Sequence, residues 1–126
     1  MESVMKKDKE KQLIADFPHL YSHYTSGHGF PGNGWYEIIR ELSEKLEPIC
    51  AAEPKCYAVQ VKEKFGGLRF YISSFYTDEM KDFIYEAEIK SCRTCENCGK
   101  PGKTRNPKGW LKTLCDDCPE VNWRDD

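Results

Sequence analysis

Residues 95–118 read CENCGKPGKTRNPKGWLKTLCDDC and contain two Cys-x-x-Cys pairs, Cys95/Cys98 and Cys115/Cys118, with 16 residues between them. A spacing of two residues lets a tight knuckle direct both sulfurs at one point, and two knuckles complete the tetrahedron that Zn²⁺ prefers. Gly99 follows the first pair, where a knuckle needs a residue that tolerates positive φ. We therefore predict one Zn²⁺ per chain bound by these four cysteines. Because four protein ligands leave no open position, this zinc is expected to be structural.

The segment between the pairs has the length of a short β-hairpin, as in a zinc ribbon, with a turn near Asn106-Pro107. A second set of four zinc ligands is also compatible with the sequence. Cys92 forms a third Cys-x-x-Cys pair with Cys95, so it is able to replace Cys98, although a thiol at the end of the preceding helix is the simpler interpretation. Free or redox-active cysteines are a further alternative, which the paired spacing disfavours.

Upstream of the cysteines, residues 57–62 and 68–73 alternate apolar and polar side chains with a period of two, as half-buried strands do. Gly66-Gly67 lies between the two runs, and adjacent glycines supply the positive φ angles of a two-residue turn. The pattern predicts an antiparallel hairpin whose apolar side chains, Val59 and Val61 among them, face the core.

Three further segments have helical patterns. Residues 3–17 carry a charged run and a thin apolar stripe, and Pro18 ends the segment. Residues 35–49 place apolar side chains at intervals of three and four, which predicts an amphipathic helix with Pro48 in its last turn or at a kink. A third helix is predicted over 78–91. The sequence thus predicts an α+β fold in which two or three helices pack on a β-hairpin or small antiparallel sheet.

Length and composition limit the organisation of the chain. At 126 residues it has room for a small domain with an appended metal module. We predict a small α+β domain over 1–91, with 1–17 as a helical N-terminal extension, and a zinc-ribbon module over 92–126. No apolar run approaches the roughly 20 residues that span a membrane, and the N-terminus lacks the apolar stretch of a signal peptide. A cytoplasmic location is expected, where seven cysteines indicate metal ligands and buried thiols rather than disulfides.

The first candidate ligand segment is the glycine-rich run Gly29-Phe-Pro-Gly-Asn-Gly-Trp35-Tyr36, which leads into the second helix. Such a loop exposes backbone N–H groups that bind anions, so Asn33, Trp35 and Tyr36 are candidate contacts. It is not a Walker loop, because no Gly-Lys-Ser/Thr follows, and it is not a dinucleotide fingerprint, because no strand precedes it. In the alternative interpretation Asn33 or Gly34 caps the helix and Trp35 belongs to the core.

The second candidate ligand segment is the predicted hairpin. Its apolar residues face the core, which leaves cations and an aromatic ring on the other side. An arginine fork suits phosphate or carboxylate, and adjacent glycines let a ligand approach the backbone. The alternative is a solvated surface whose lysines deter aggregation. The candidate ligand contacts here are Lys62, Lys64, Gly66, Gly67, Arg69 and Tyr71.

Four motifs together resemble a family of short zinc-ribbon proteins that recur in phage and prophage genomes. They are Gly34–Tyr36, the KEKFGGLRFY hairpin within Gln60–Tyr71, the CxxCG knuckle within Thr94–Gly102, and the GWxKTLCDxC segment Gly109–Cys118. The resemblance spans about residues 33–118. It implies an origin in a mobile element and gives no reaction.

No enzyme is expected, since the sequence has no Ser-His-Asp set in reach, no evident carboxylate pair and no open metal position. The predicted function is a phage-type binding module that captures a phosphate-bearing ligand through the hairpin and the glycine loop, most simply a nucleotide such as a host signalling or defence nucleotide. One alternative is a zinc-ribbon adaptor that binds and modulates a host protein of the transcription or defence machinery. A second is nucleic-acid binding through a basic ribbon with Trp110 as a stacking platform. No membrane partner is expected.

A group of basic residues bears on the nucleic-acid alternative, and a group of histidines bears on the number of metal sites. Between Lys90 and Thr113 the sequence has seven lysines and arginines but only one acidic residue, so a local basic patch is predicted in a chain whose net charge is -2. His19, His23 and His28 precede the second helix and are candidates for a second metal site. Their irregular spacing and the absence of carboxylate partners favour unrelated roles.

Overall fold

The computed structural model describes residues 4–25, 28–106, 109 and 111–118. Within these residues the predicted α+β fold and the C-terminal cluster of four cysteines are confirmed. Two antiparallel pairs form, one between the first two strands and one between the last two. The elements are α1 (Lys7–Asp16), a 3₁₀ turn (Asn33–Trp35), α2 (Tyr36–Ala52), β1 (Ala58–Lys64), β2 (Gly67–Ile72), α3 (Asp78–Ser91), β3 (Lys103–Arg105) and β4 (Lys112–Leu114).

The main core lies where α2 and α3 pack together and α3 packs on β2. The apolar stripe of α2 is buried as predicted, with Ile39 and Leu46 fully inaccessible. Pro48 lies inside α2, which continues to Ala52, so the proline falls near the last turn without ending the helix. The first helix is shorter than the predicted 3–17, since residues 4–6 are not helical.

The β1–β2 turn differs from the prediction by one residue. Lys64 pairs with Gly67, so the turn residues are Phe65 and Gly66, with φ angles of 56° and 85°. Two positive φ angles in a two-residue turn match the right-handed twist of the strands. The register also shifts between Ala58 and Gln60. As a result Val59, which the alternation placed in the core, is 43% exposed, while Ala58 is buried.

Side chains cover the outer edges of this hairpin. On the β2 edge, the N–H of Leu68 donates to Ser91 Oγ at 2.8 Å and the N–H of Ile72 donates to the Tyr76 hydroxyl at 2.9 Å. On the β1 edge, the N–H of Val61 donates to the hydroxyl of Tyr24 at 3.0 Å. These hydrogen bonds make the hairpin edges less able to pair with an additional strand.

The predicted ribbon hairpin forms from β3 and β4, in register from Lys103↔Leu114 to Arg105↔Lys112. An isolated bridge between Thr94 and Pro101 closes the first knuckle, and the N–H of Glu96 donates to the carbonyl of Thr113 in β4 at 3.0 Å. Across the described part of the chain, no helix has the length and apolar character needed to cross a bilayer.

Candidate metal centre and hairpin surface

The four predicted ligands, Cys95, Cys98, Cys115 and Cys118, meet at one point. Their sulfur atoms all lie within 4.8 Å of one another, and the sulfurs of Cys98 and Cys115 are 3.5 Å apart. A tetrahedral ion with Zn–S distances of about 2.3 Å requires sulfurs about 3.8 Å apart. Three of the cysteines are buried and Cys98 is exposed. The arrangement is compatible with the binding of one tetrahedral metal ion.

Local hydrogen bonds shape the first knuckle. The N–H of Gly99 donates to the carbonyl of Cys95 at 2.9 Å, and Gly99 has a φ of +86°, the conformation for which glycine was predicted here. The side-chain amide of Asn97 donates to the sulfur of Cys118 at 3.4 Å, which ties the first knuckle to the second. Cys92 lies outside the group of four sulfurs.

The glycine-rich loop contacts an anion of its own chain. The carboxylate of Glu96, a residue of the first knuckle, accepts a hydrogen bond from the N–H of Gly32 at 3.0 Å. The backbone carbonyl of Glu96 accepts another from the N–H of Gly34 at 2.7 Å. The sequence was right that this loop presents N–H groups to an anion, but these donors are already used by the ribbon.

Glu96 belongs to a buried charge cluster with Lys112 and Glu63. Lys112 Nζ lies 3.0 Å from Glu96 Oε1 and 3.4 Å from Glu63 Oε1. Glu96 is 2% exposed and Lys112 is 6% exposed. Burial lowers the pKa of Lys112, but the two adjacent carboxylates outweigh it and raise the pKa above its ordinary value. The cluster joins the knuckle, β4 and β1 through one ammonium group.

The three predicted ligand residues of the glycine loop all have contacts within the protein. Trp35 is fully buried, and its indole N–H donates to the carbonyl of Thr94 at 2.8 Å. The side-chain oxygen of Asn33 accepts from the N–H of Lys6 at 2.8 Å, so Asn33 holds the start of α1 and does not cap α2. The half-buried Tyr36 accepts from Arg40 at 3.2 Å. The core interpretation of Trp35 is therefore correct.

A cavity of about 220 Å³ lies between the glycine loop and β1. Lys62 lines this cavity, and the other predicted ligand residues do not. Its charged lining consists of two lysines, Lys62 and Lys112, and two glutamates, Glu63 and Glu96. Opposite charges in equal number give the cavity no net attraction for a phosphate. This cavity therefore does not connect the glycine loop with Arg69.

The predicted cations of the hairpin lie on one face together with an aromatic residue. We call this surface the outward hairpin face, and it consists of Lys62, Lys64, Arg69 and Tyr71. Lys62 lies directly opposite Arg69 in the register, and Lys64 and Tyr71 are one rung away on either side. Glu63 alternates to the inner face, opposite Leu68. The structure thus separates the cations of this segment from its one carboxylate.

Gly66 and Gly67 do not open the backbone to a ligand as predicted, because other side chains cover them. The carbonyl of Gly66 accepts from Thr113 Oγ1 at 2.6 Å, and a Cβ on Gly66 would lie 3.2 Å from the methyl group of Thr104. A Cβ on Gly67 would lie 3.3 Å from the sulfur of Cys92. The ribbon and the end of α3 therefore occupy the space beside the two glycines that was predicted to be open to a ligand.

The predicted basic patch of the ribbon is largely neutralised. Arg105 pairs with Asp116 at 2.7 Å, and Lys100 pairs with Asp117 at 2.8 Å. Lys90 pairs with a glutamate of α2 at 2.6 Å, and Lys112 is buried. The acidic residues of the second cysteine pair thus oppose the cations of the ribbon strands. Lys108 and Trp110, which the nucleic-acid alternative also required, lie outside the described residues.

The three histidines have separate neighbours. His19 Nδ1 lies 2.7 Å from a carboxylate oxygen of Glu47, His23 stacks on Tyr57, and His28 stacks on Tyr24. Among the described residues, the four cysteines form the one group with metal-binding distances. The remaining cysteine pair, Cys50 and Cys56, is buried as predicted. Burial raises the pKa of both thiols.

Two features escaped the reasoning from sequence. Glu96 is the one acidic residue of the sequence between Lys90 and Thr113, and the sequence alone does not show that the first knuckle buries it against the glycine loop. Phe65 lies within the predicted hairpin, and in the structure it occupies the first turn position and is 67% exposed. The run Lys64-Phe65-Gly66-Gly67 is compatible with two hairpin registers, one with Gly66-Gly67 in the turn and one with Phe65-Gly66 in the turn. The sequence therefore already allowed Phe65 to be a turn residue.

Comparisons with known proteins identified no relative of this chain. No family model, no curated protein and no solved structure matches this chain. The resemblance to phage and prophage zinc-ribbon proteins therefore stays a prediction.

Proposed function

We propose that this protein is a non-enzymatic binding module that holds a phosphate-bearing ligand, most simply a nucleotide, on the outward hairpin face. The observation that carries the proposal is the register of the strands, in which Lys62 lies directly opposite Arg69. Directly opposed residues have Cβ atoms about 4.5–5.5 Å apart, close enough for an ammonium and a guanidinium to contact one phosphate.

The charge balance of this face supports an anionic ligand. In the described residues, the ion pairs within 4.0 Å involve neither Lys62, Lys64 nor Arg69. One N–H of Arg69 donates to the carbonyl of Leu68 at 3.0 Å, and a guanidinium carries five such donors. The carboxylate of Glu88, near Arg69, is hydrogen-bonded to the backbone of β2. Three cations on one face without an ion pair favour a phosphate.

The metal in this proposal is one structural Zn²⁺ per chain. Four thiolates select zinc over the hard cations Mg²⁺ and Ca²⁺, which prefer oxygen ligands. Four protein ligands leave no position for a substrate, so the ion would stabilise the fold rather than catalyse a reaction. The ribbon contacts both the glycine loop and the hairpin turn, so the ion would hold the binding surface in place.

A phage or prophage origin and a cytoplasmic location belong to the same proposal. The motif resemblance supports the origin, and four free thiols grouped as metal ligands are typical of a reducing compartment.

Isothermal titration calorimetry with adenosine diphosphate, and with adenosine as the ligand without phosphate, tests the proposal. We expect the diphosphate to bind and adenosine to bind at least tenfold more weakly. Arg69→Ala should lower the affinity for the diphosphate tenfold or more, since a charged hydrogen bond contributes about 1.5–3 kcal/mol. Lys11→Ala, which removes an exposed lysine from α1, is the matched control and should bind normally.

Two results would contradict the proposal. One is equal binding of adenosine and adenosine diphosphate. The other is normal binding by Arg69→Ala together with a lowered melting temperature, which would make Arg69 a residue that only stabilises the fold.

The host-protein adaptor remains the second candidate function. Apolar exposure beside the hairpin turn favours it, since Phe65 is 67% exposed and Leu111 is 42% exposed. Nucleic-acid binding through the ribbon is less favoured, because its cations are paired with Asp116 and Asp117.

A further inference from the structure

Phe65 has an unusual backbone and an unusual environment. Its φ is 56°, and it is the one residue other than glycine with positive φ among those the structure describes. Asparagine, aspartate or glycine is the usual residue at this turn position, because a Cβ is unfavourable there. The ring of Phe65 is 67% exposed, so burial of the side chain does not compensate for the strained backbone. Strain of this kind at an exposed aromatic residue indicates a role outside folding.

The ring of Phe65 belongs to the outward hairpin face. Lys64 Nζ lies 5.4 Å from its centroid, and Lys64 is on that face by register. At the other end of the face, Lys62 Nζ lies 5.9 Å from the ring centroid of Tyr71, which is 38% exposed. An exposed aromatic ring therefore lies at each end of the row of cations.

The spacing along the strands is regular. Alternate residues on one face are separated by about 7 Å, because an antiparallel strand rises about 3.4 Å per residue. From Tyr71 the rungs run through Arg69 and Lys62 to Lys64, and the turn with Phe65 follows. Arg69 and Lys62 share one rung and Lys64 lies on the next, so the cations occupy two rungs about 7 Å apart, with an aromatic ring before and after them.

We propose that the ligand of the outward hairpin face is a short single-stranded oligonucleotide of about two or three nucleotides, with bases stacked on Tyr71 and Phe65 and phosphates held by the cations between them. The inference rests on the proposed function and adds the class of ligand. It uses the face of the hairpin and not the paired cations of the ribbon.

A single nucleotide would leave one of the two rings unused. An acidic protein partner would also pair with the cations. The core of a protein–protein interface, however, is usually apolar and depleted of charges, whereas the two rings here are separated by charges. Stacking on separated rings with phosphates between them is how proteins bind single strands without reading their sequence. The placement of an aromatic ring at each end of the cations therefore favours the oligonucleotide.

Fluorescence anisotropy competition with thymidine monophosphate and with the di-, tri- and pentanucleotides of thymidine tests this inference. We expect the trinucleotide to bind at least tenfold more tightly than the monophosphate, with little further gain for the pentanucleotide. Phe65→Asn removes the ring and places a residue that tolerates positive φ in the turn, so it should fold as well as the wild type. It should lower the trinucleotide affinity about tenfold.

Tyr85→Ala is the matched control, because Tyr85 is a comparably exposed aromatic residue on α3 at 64%. It should leave every affinity unchanged. Equal affinities of the wild type for the monophosphate and the trinucleotide, or normal trinucleotide binding by Phe65→Asn, would overturn the oligonucleotide inference and leave the proposed function standing. Failure of the wild type to bind any of these phosphates, and to bind adenosine diphosphate as well, would overturn both.

Discussion

The glycine loop and the outward hairpin face were predicted to hold the same ligand, and the structure gives them opposite roles. The N–H groups of the loop already donate to Glu96, and Trp35 is buried against the ribbon. The cations of the hairpin face, by contrast, belong to no ion pair among the described residues. A glycine-rich loop before a helix has N–H groups that bind an anion. In this chain the anion is the carboxylate of Glu96 rather than a separate ligand. Changes in the loop should therefore alter stability, and changes on the hairpin face should alter binding.

The largest effect on stability is expected at the metal centre, on which the loop packs. Cys115→Ser should lose the metal and unfold the ribbon, since structural zinc contributes on the order of 10 kcal/mol in small modules. Cys92→Ser is the matched control and should keep the metal, because Cys92 lies outside the cluster. Elemental analysis and thermal melting measure both. Loss of metal from Cys92→Ser with retention in Cys98→Ser would show that Cys92 is the fourth ligand.

The buried charge cluster comes next. Lys112→Met should destabilise the protein by about 3–5 kcal/mol, because Glu96 would then be buried without its cation. The double variant Glu96→Gln with Lys112→Met should recover part of this loss, since no unpaired charge remains at the knuckle. Urea denaturation provides the free energies of unfolding. A single variant as stable as the wild type would show that the cluster does not hold the ribbon on the loop.

Two glycines of the loop provide a smaller and sharper comparison. A Cβ on Gly34 would lie 2.0 Å from the carbonyl oxygen of Cys95, so Gly34→Ala should cost about 3 kcal/mol or more. Gly29 has a φ of +81° and no atom within 4 Å of its Cβ position, so Gly29→Ala should cost only about 1 kcal/mol of backbone strain. Equal costs would mean that the knuckle does not approach the loop closely in solution.

Local patterns predicted the elements of this fold well. The interval pattern of 35–49 identified the buried face of α2, and the predicted bounds of the third helix match α3, Asp78–Ser91. The paired Cys-x-x-Cys spacing identified the four sulfurs that meet. These predictions succeeded because each rests on contacts between residues near one another in sequence, or on a spacing with few geometric solutions.

Other features depend on which distant segments come together, and sequence alone did not determine them. The hairpin turn lies one residue earlier than the glycine pair suggested, and Gly67 belongs to β2, where a Cβ would lie 3.3 Å from the sulfur of Cys92. The contacts between Glu96 and the loop join residues 64 positions apart. Whether a polar group stays free for a ligand depends on such contacts, which is why the loop was predicted as a ligand site.

Chemical-shift mapping by amide NMR with adenosine diphosphate reports the loop and the hairpin face in one experiment. If the ligand binds on the hairpin face, the largest shifts occur at the amides of Lys62, Arg69 and Tyr71, with little change at Gly32 and Gly34. Large shifts at Gly32 and Gly34 with none on β1 and β2 would contradict binding on that face, since the loop would then be the ligand site.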